Sequence, residues 1–169
     1  MQINKDHVVG VILAGGLARR MGGGDKSMLQ LGGQRILDYV ISNANTQLNT
    51  VLLNANGDAE RFAEFGLPVQ ADIVPDFAGP LAGVVSAMAW VNQNKPTATH
   101  IITVAADTPF FPNDYVERML DLMALKQQRL ACASYHGRTQ PVFGVWPVDL
   151  FDDLYNALVE DDMRKVDRF

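Results

Sequence analysis

Short apolar runs alternate with helical stripes along this chain. Continuous β-branched runs that end at glycine or polar residues predict buried parallel strands at 8–14, 50–54 and 100–106, with further strands at 130–135 and 141–146. Apolar residues recur at three- and four-residue spacings in 36–48, 81–91 and 116–123, which predicts helices. The alternation predicts a three-layer α/β/α domain with a mostly parallel sheet. Pro141 suits the start of its strand or an edge position.

Ligands of such a sheet bind beyond the carboxyl ends of its strands. This rule selects the three loops that follow Ala14, Leu53 and Ala106. The apolar stripes themselves are interpreted as core packing. Candidate chemistry is therefore sought in the loops and not in the helices.

Composition narrows the class of protein. With 169 residues, 48% of them hydrophobic, the chain is predicted to be a single soluble domain covering 1–169. Its net charge of −5 argues against a nucleic-acid partner. No apolar run is long enough to span a membrane and no secretory signal is recognised, so a cytoplasmic protein is expected. The single cysteine, Cys132, fits a reducing compartment and is expected to lie in the core.

The first loop, residues 13–26, predicts a phosphate site. It holds five glycines between positions 15 and 26 and three cations, Arg19, Arg20 and Lys26. Glycines let backbone N–H groups approach an anion closely, and the cations neutralise it. The loop lacks a Walker A pattern, because Asp25 separates Gly24 from Lys26-Ser27, and it lacks Gly-x-Gly-x-x-Gly.

The pattern Leu-Ala-Gly-Gly-x-x-x-Arg-Met-Gly-x-x-Asp-Lys at 13–26 resembles nucleotidyltransferases with a glycosyltransferase-A-like, Rossmann-like fold of the nucleotide-diphospho-sugar transferase type. Among them the chain most resembles the molybdenum cofactor guanylyltransferases of MobA type. Further matching segments are Asn54-Ala-Asn56, Gly79-Pro-Leu-Ala-Gly83 and Ala106-Asp-Thr-Pro-Phe-Phe-Pro112. The resemblance implies transfer of GMP from GTP to the phosphate of molybdopterin, with release of pyrophosphate and dependence on Mg²⁺, or alternatively Mn²⁺.

The resemblance also implies roles for single residues. Lys26 would bind the GTP phosphates, and Arg20 would stabilise charge on the departing pyrophosphate, with Arg19 as a helper. The nucleoside would be held by a set of loop residues, namely Leu13, Ala14, Gly15, Gly16, Asn54 and Asp72. No general base is expected, since a phosphate nucleophile is already an anion.

Asp107 carries the strongest single-residue argument. Its carboxylate follows an apolar strand at the ligand-facing edge, and beside a triphosphate a carboxylate needs a cation between them. Mg²⁺ is commonly held by one or two carboxylates together with phosphate oxygens. A capping role is disfavoured, because the next helix is predicted to begin near Pro112.

The pterin side of the cleft is predicted to include Gly79, Gly83 and Gln140, where Gln140 replaces a histidine that is frequent in the family. Pro80 suits the first position of the following helix. Arg164 and Lys165 match a basic pair near the pterin phosphate. Related enzymes continue beyond position 169 to an Asn-x-Asn-Thr-Pro segment, so a domain truncated at its C-terminus is expected.

Three functions remain open at this point. The first is guanylyl transfer, which Leu13-Ala-Gly-Gly16 favours over the Leu-Ala-Ala-Gly of cytidylyl enzymes. The second is a cytidylyltransferase or another nucleotidyltransferase of the same fold. The third is a non-catalytic GTP-binding homologue, which the missing asparagine segment favours. Partners implied by the resemblance are GTP, molybdopterin, a GTP-binding accessory protein, and apo-molybdoenzymes or their chaperones.

Overall fold

A six-stranded sheet forms the centre of the chain in a computed structural model, which describes residues 3–14, 25–74 and 79–160. The strands, numbered in chain order, are β1 (Val8–Leu13), β4 (Val51–Asn54), β5 (Val69–Gln70), β6 (His100–Ala105), β7 (Ala131–Tyr135) and β8 (Arg138–Pro147). Their spatial order is β5-β4-β1-β6-β8-β7. The first four run parallel, whereas β8 is antiparallel to both β6 and β7. A separate antiparallel hairpin pairs β2 (Gln30–Leu31) with β3 (Gln34–Arg35).

Helices cover both faces of this sheet. They are α1 (Ile36–Gln47), α2 (Pro80–Asn94), α3 (Tyr115–Lys126) and α4 (Phe151–Glu160). On one face, α1 and α3 pack against alternate strand residues such as Ile12 and Val104. On the other face, α2 and α4 pack against the intervening residues, such as Val11 and Ile101. Both faces of the parallel strands are therefore buried, which explains their continuous apolar sequence. The predicted three-layer, mostly parallel α/β fold is confirmed.

The last two strands differ in detail from the prediction. The final strand begins at Arg138, three residues before Pro141, and it lies between β6 and β7 only at 145–147, so at Pro141 its described partner strand is β7 alone. Pro141 lies where the pairing with β7 is irregular, because Cys132 pairs with Gly144 and Ala133 already pairs with Gln140. The missing N–H of a proline is tolerated at such a bulge. The edge interpretation of Pro141 therefore agrees with the structure, whereas the strand-start interpretation does not.

Two further expectations are corrected. Cys132 is exposed on edge strand β7, so it does not belong to the core. The helix expected to begin near Pro112 begins at Tyr115 instead. The hydroxyl of Tyr115 donates a hydrogen bond to the Thr103 carbonyl at 3.2 Å. Within 3–14, 25–74 and 79–160, no helix combines the length and apolar character that crossing a membrane requires.

Candidate nucleotide-binding site

The three predicted ligand loops leave the sheet side by side. Strand β1 lies between β4 and β6, and its end is tied to both neighbours. The Ala14 amide donates to the Asn54 carbonyl at 2.8 Å, and the Ala106 amide donates to the Leu13 carbonyl at 3.1 Å. Adjacent strands lie about 4.8 Å apart, and β1 lies between β4 and β6. The ends of β4 and β6 are therefore about 10 Å apart. Leu13, Ala14, Asn54 and the Asp107 loop thus share one edge.

Asp107 is exposed at this edge, two residues beyond the end of β6. Its Oδ1 atom accepts a hydrogen bond from the hydroxyl of Thr108 at 3.5 Å. Helix α3 begins eight residues later and has Asp114 at its N-cap, so the Asp107 carboxylate does not cap it. Among the described residues, the Asp107 carboxylate forms no ion pair, and its assignment to a metal site stays a prediction.

Asn54 and Asp72 form a hydrogen-bonded pair next to that edge. The buried Asn54 amide donates to the Asp72 Oδ1 atom at 2.9 Å and to the Gln70 carbonyl at 3.0 Å. The exposed side chain of Asn56 donates to Asp72 Oδ2 at 2.7 Å and accepts from the Asp72 amide at 2.8 Å. The structure thereby brings together two residues that are 18 positions apart in sequence.

The loop that carries Asp72 is also fixed to helix α2. The Ile73 amide donates to the Ser86 hydroxyl at 2.9 Å, and that hydroxyl donates to the Ala82 carbonyl at 2.6 Å. Ser86 is fully buried, so its bond to the Ala82 carbonyl is shielded from water. The Asp72 side chain is therefore bonded to two asparagine amides, and the backbone of the next residue is bonded to helix α2.

Lys26 is exposed at the start of a short 3-10 helix, Lys26–Met28. The preceding Asp25 accepts hydrogen bonds from the Ser27 amide and hydroxyl, at 3.1 and 2.7 Å, which fixes this turn. Among the residues that the structure describes, no carboxylate lies within 4.0 Å of the Lys26 ammonium group. Its charge therefore remains available for a phosphate.

Arg61 connects this turn to the asparagine segment, and no sequence motif predicts this role. Its Nη2 atom donates to the Asn56 carbonyl at 3.0 Å and lies 3.5 Å from Asp25 Oδ2, while its guanidinium lies over the Phe62 ring. Arginine offers several donors in one plane, so it can bridge two segments at once. Only the spatial contact between distant segments identifies this residue.

We expect Arg61→Ala to weaken nucleotide binding by about three- to tenfold, because a part-exposed ion pair and one hydrogen bond contribute roughly 1 kcal/mol together. The dissociation constant for GTP, measured by calorimetry, checks this. Arg118→Ala, which removes an exposed ion pair on α3, is the matched control. Equal GTP affinity in the two variants would contradict a bridging role for Arg61.

The two glycines predicted on the pterin side have different structural reasons. Gly79 precedes α2 with φ at 149°, a conformation that side chains rarely adopt, and Pro80 occupies the first helical turn as predicted. Gly83 is buried, and a Cβ atom there would lie 2.3 Å from Asn54 Oδ1 and 2.8 Å from Leu13 Cδ2. Gly83 therefore permits close packing of α2 on the strand ends, and its assignment to the pterin side stays a prediction.

Gln140 lies on a two-stranded ribbon that extends past β6. Because β8 is antiparallel to β6 and pairs with it only at 145–147, the earlier residues of β8 lie toward the ligand-facing edge. Gln140 pairs with Ala133 there and is exposed, and the turn at His136 and Gly137 has positive φ at both positions. The ribbon thus flanks the edge that carries Asp107, on the side opposite to β4.

Several predicted residues lie outside the described residues. They are Gly15, Gly16, Arg19, Arg20, Arg164 and Lys165. Within the described ranges, no group of three or more histidine, cysteine, aspartate or glutamate side chains could hold a metal ion. A cation held at Asp107 would need further oxygen ligands, and Mg²⁺ commonly takes these from phosphates and water.

A mostly parallel sheet, a glycine-rich sequence after its first strand and an exposed carboxylate after β6 are together typical of nucleotide-binding α/β domains. The family model of the MobA-like NTP transferase domain matches residues 10–169. The chain therefore belongs to the MobA-like NTP transferase domain family, a class of nucleotidyltransferases.

Similar proteins support this membership. A molybdenum cofactor guanylyltransferase from Bradyrhizobium sp. is 51% identical over 162 residues, which are 96% of this chain and 76% of that protein. One from Nitrobacter hamburgensis is 51% identical over 160 residues, or 95% of this chain and 77% of that protein. The crystal structure of molybdopterin-guanine dinucleotide biosynthesis protein A from Archaeoglobus fulgidus shares the fold, with a TM-score of 0.71 at 20% identity, over 94% of this chain and 76% of that one.

Proposed function

We propose that this protein transfers GMP from GTP to the phosphate of molybdopterin, with or without bound molybdenum, and releases pyrophosphate. The observation that carries the proposal is the 51% identity, along nearly the whole chain, to proteins named molybdenum cofactor guanylyltransferase. The position of Asp107 and of the Asn54–Asp72 pair beside adjoining strand ends supports the proposal.

In the proposed reaction, a phosphate oxygen of molybdopterin attacks the α-phosphorus of GTP. The new P–O bond forms as the bond from the α-phosphorus to the bridging oxygen breaks, and that oxygen leaves with pyrophosphate. Because the nucleophile is already ionised at neutral pH, the protein needs no general base. Its task is to align two polyanions and to neutralise their charge.

The chain's own residues divide this task. Lys26 neutralises the triphosphate, and Arg20 is proposed to stabilise charge on the departing pyrophosphate. Asp107 would hold Mg²⁺, or Mn²⁺, against the phosphates; when bound, this ion supplies Lewis-acid stabilisation of the transition state. The exposed Asp107 carboxylate suits such an ion, since hard cations prefer oxygen ligands. Asp72 binds the base.

A titration of the purified chain with GTP, CTP and ATP in the presence of Mg²⁺ tests the nucleotide assignment. We expect GTP to bind at least about tenfold more tightly than the other two, because a site built for one base's donors rejects bases that lack them. A preference for CTP would contradict guanylyl transfer and favour the cytidylyl alternative.

A further inference from the structure

The carboxylate of Asp72 is engaged on both of its oxygens before any ligand arrives. Oδ1 accepts from the Asn54 amide at 2.9 Å, and Oδ2 accepts from the Asn56 amide at 2.7 Å. An ionised carboxylate has about four acceptor positions, two on each oxygen. Among the described residues, one acceptor position on each oxygen therefore remains unused, and the side chain is partly exposed.

The Asn54 side chain has no donor left for a ligand. Its two N–H groups are used by Asp72 and by the Gln70 carbonyl, and the residue is only 1% exposed. Its Oδ1 atom lies against Gly83 of helix α2. The Asn54 side chain can therefore act on a nucleotide only through the residue that it orients.

Asn56 holds Asp72 in a different way. It contacts both the carboxylate and the backbone amide of Asp72, which fixes the rotation of the side chain relative to its own backbone. Arg61 in turn holds the Asn56 carbonyl at 3.0 Å. Since Asn56 is exposed, replacing it leaves the buried core unchanged.

We propose that Asn54 and Asn56 are positioning residues that clamp the Asp72 carboxylate so that both of its oxygens face the paired N–H donors of guanine. This inference rests on the proposed function, in which Asp72 contacts the base. Guanine presents a ring N–H beside an exocyclic amine, and two parallel N–H donors match a carboxylate edge. Adenine and cytosine place an acceptor beside their amine, so one oxygen would face a lone pair.

The ratio of the affinities for GTP and ITP distinguishes a change in the orientation of Asp72 from a general loss of protein stability. Hypoxanthine keeps the ring N–H of guanine and lacks the exocyclic amine, so the affinity ratio reports the second hydrogen bond. In the unmodified chain we expect GTP to bind about ten- to hundredfold more tightly than ITP, since a hydrogen bond to a charged group is lost. In Asn56→Ala the ratio should fall to about threefold or less, because a freely rotating carboxylate no longer meets both donors.

Two more variants sharpen the test. Asn56→Asp keeps the shape and removes the donor to Oδ2, so repulsion between two carboxylates should reduce the GTP to ITP ratio at least as far as Asn56→Ala does. Asn94→Ala, at the exposed end of α2, should keep the ratio of the unmodified chain. Thermal unfolding of each variant shows whether the change is confined to the site.

The outcomes are distinguishable. If the unmodified chain prefers GTP and Asn56→Ala keeps the same GTP to ITP ratio, the clamp is wrong while guanylyl transfer stands. If the unmodified chain binds no GTP, the proposed function fails and the clamp fails with it. A reduced ratio in both Asn56 variants, with the ratio of Asn94→Ala unchanged, supports the clamp.

Discussion

Replacing Asp107 by alanine is expected to lower kcat for nucleotidyl transfer by about a thousandfold or more and to leave the fold intact. The carboxylate is the proposed protein ligand of the divalent ion, and losing an electrostatic contact of this kind removes several kcal/mol of transition-state stabilisation. The residue is exposed and makes a single side-chain hydrogen bond at 3.5 Å, so its loss should change the free energy of unfolding by less than about 0.5 kcal/mol.

Asp114→Ala is the matched control for this variant. Asp114 lies on the same connection between β6 and α3, and its ion pair with Arg118, at 3.4 Å, is exposed. Pyrophosphate release, measured with molybdopterin and saturating GTP and Mg²⁺, should remain close to that of the unmodified chain in Asp114→Ala and vanish in Asp107→Ala. If Asp107→Ala keeps an activity within tenfold of that of the unmodified chain, Asp107 is not the metal ligand.

Replacing Gly83 by alanine is expected to destabilise the protein by about 1–3 kcal/mol, although alanine normally stabilises a helix interior by roughly 1 kcal/mol relative to glycine. The new Cβ would lie 2.3 Å from Asn54 Oδ1, far inside contact distance. Asn54 cannot move away without breaking its bonds to Gln70 and Asp72. The cost therefore includes a buried amide left without partners, which is about 1–3 kcal/mol.

Urea unfolding, with GTP affinity as a second readout, tests the close packing at Gly83. We expect both stability and GTP affinity to fall, because the displaced Asn54 no longer orients Asp72. Asn94→Ala, at the exposed end of the same helix, should change stability by less than about 0.5 kcal/mol. A Gly83→Ala protein as stable as the unmodified chain, with equal GTP affinity, would show that the helix tolerates a side chain there.

The sequence predicts those strands and helices whose burial produces a regular pattern of apolar residues. Strands β1, β4 and β6 are buried on both faces, so their apolar runs are continuous and recognisable, and their polar ends mark the ligand edge. Helices α1, α2 and α3 were predicted by the spacing of their apolar residues. The two-residue strand β5 and the hairpin of β2 and β3 are too short to carry such a pattern, and α4 was not recognised.

The candidate site is predictable only in part, because several of its contacts join residues that are far apart in sequence. Glycines, cations and the Asp107 carboxylate at a strand end are visible in the sequence, whereas Asn54 and Asp72 are selected only by the family resemblance. The bonds that join Asn56 to Asp72 and Arg61 to Asp25 connect segments 16 and 36 residues apart, which no local pattern reveals. The packing requirement at Gly83 likewise arises from contact between α2 and β4.

The fate of labelled phosphorus tests guanylyl transfer most directly. The purified chain is incubated with molybdopterin, Mg²⁺ and GTP labelled either at the α- or at the γ-phosphate. Our account predicts that the α-label appears in a pterin–guanine dinucleotide while the γ-label appears in pyrophosphate, in equal amounts, and that CTP yields no product. GTP binding without transfer of the α-label, or transfer from CTP in preference to GTP, would contradict it.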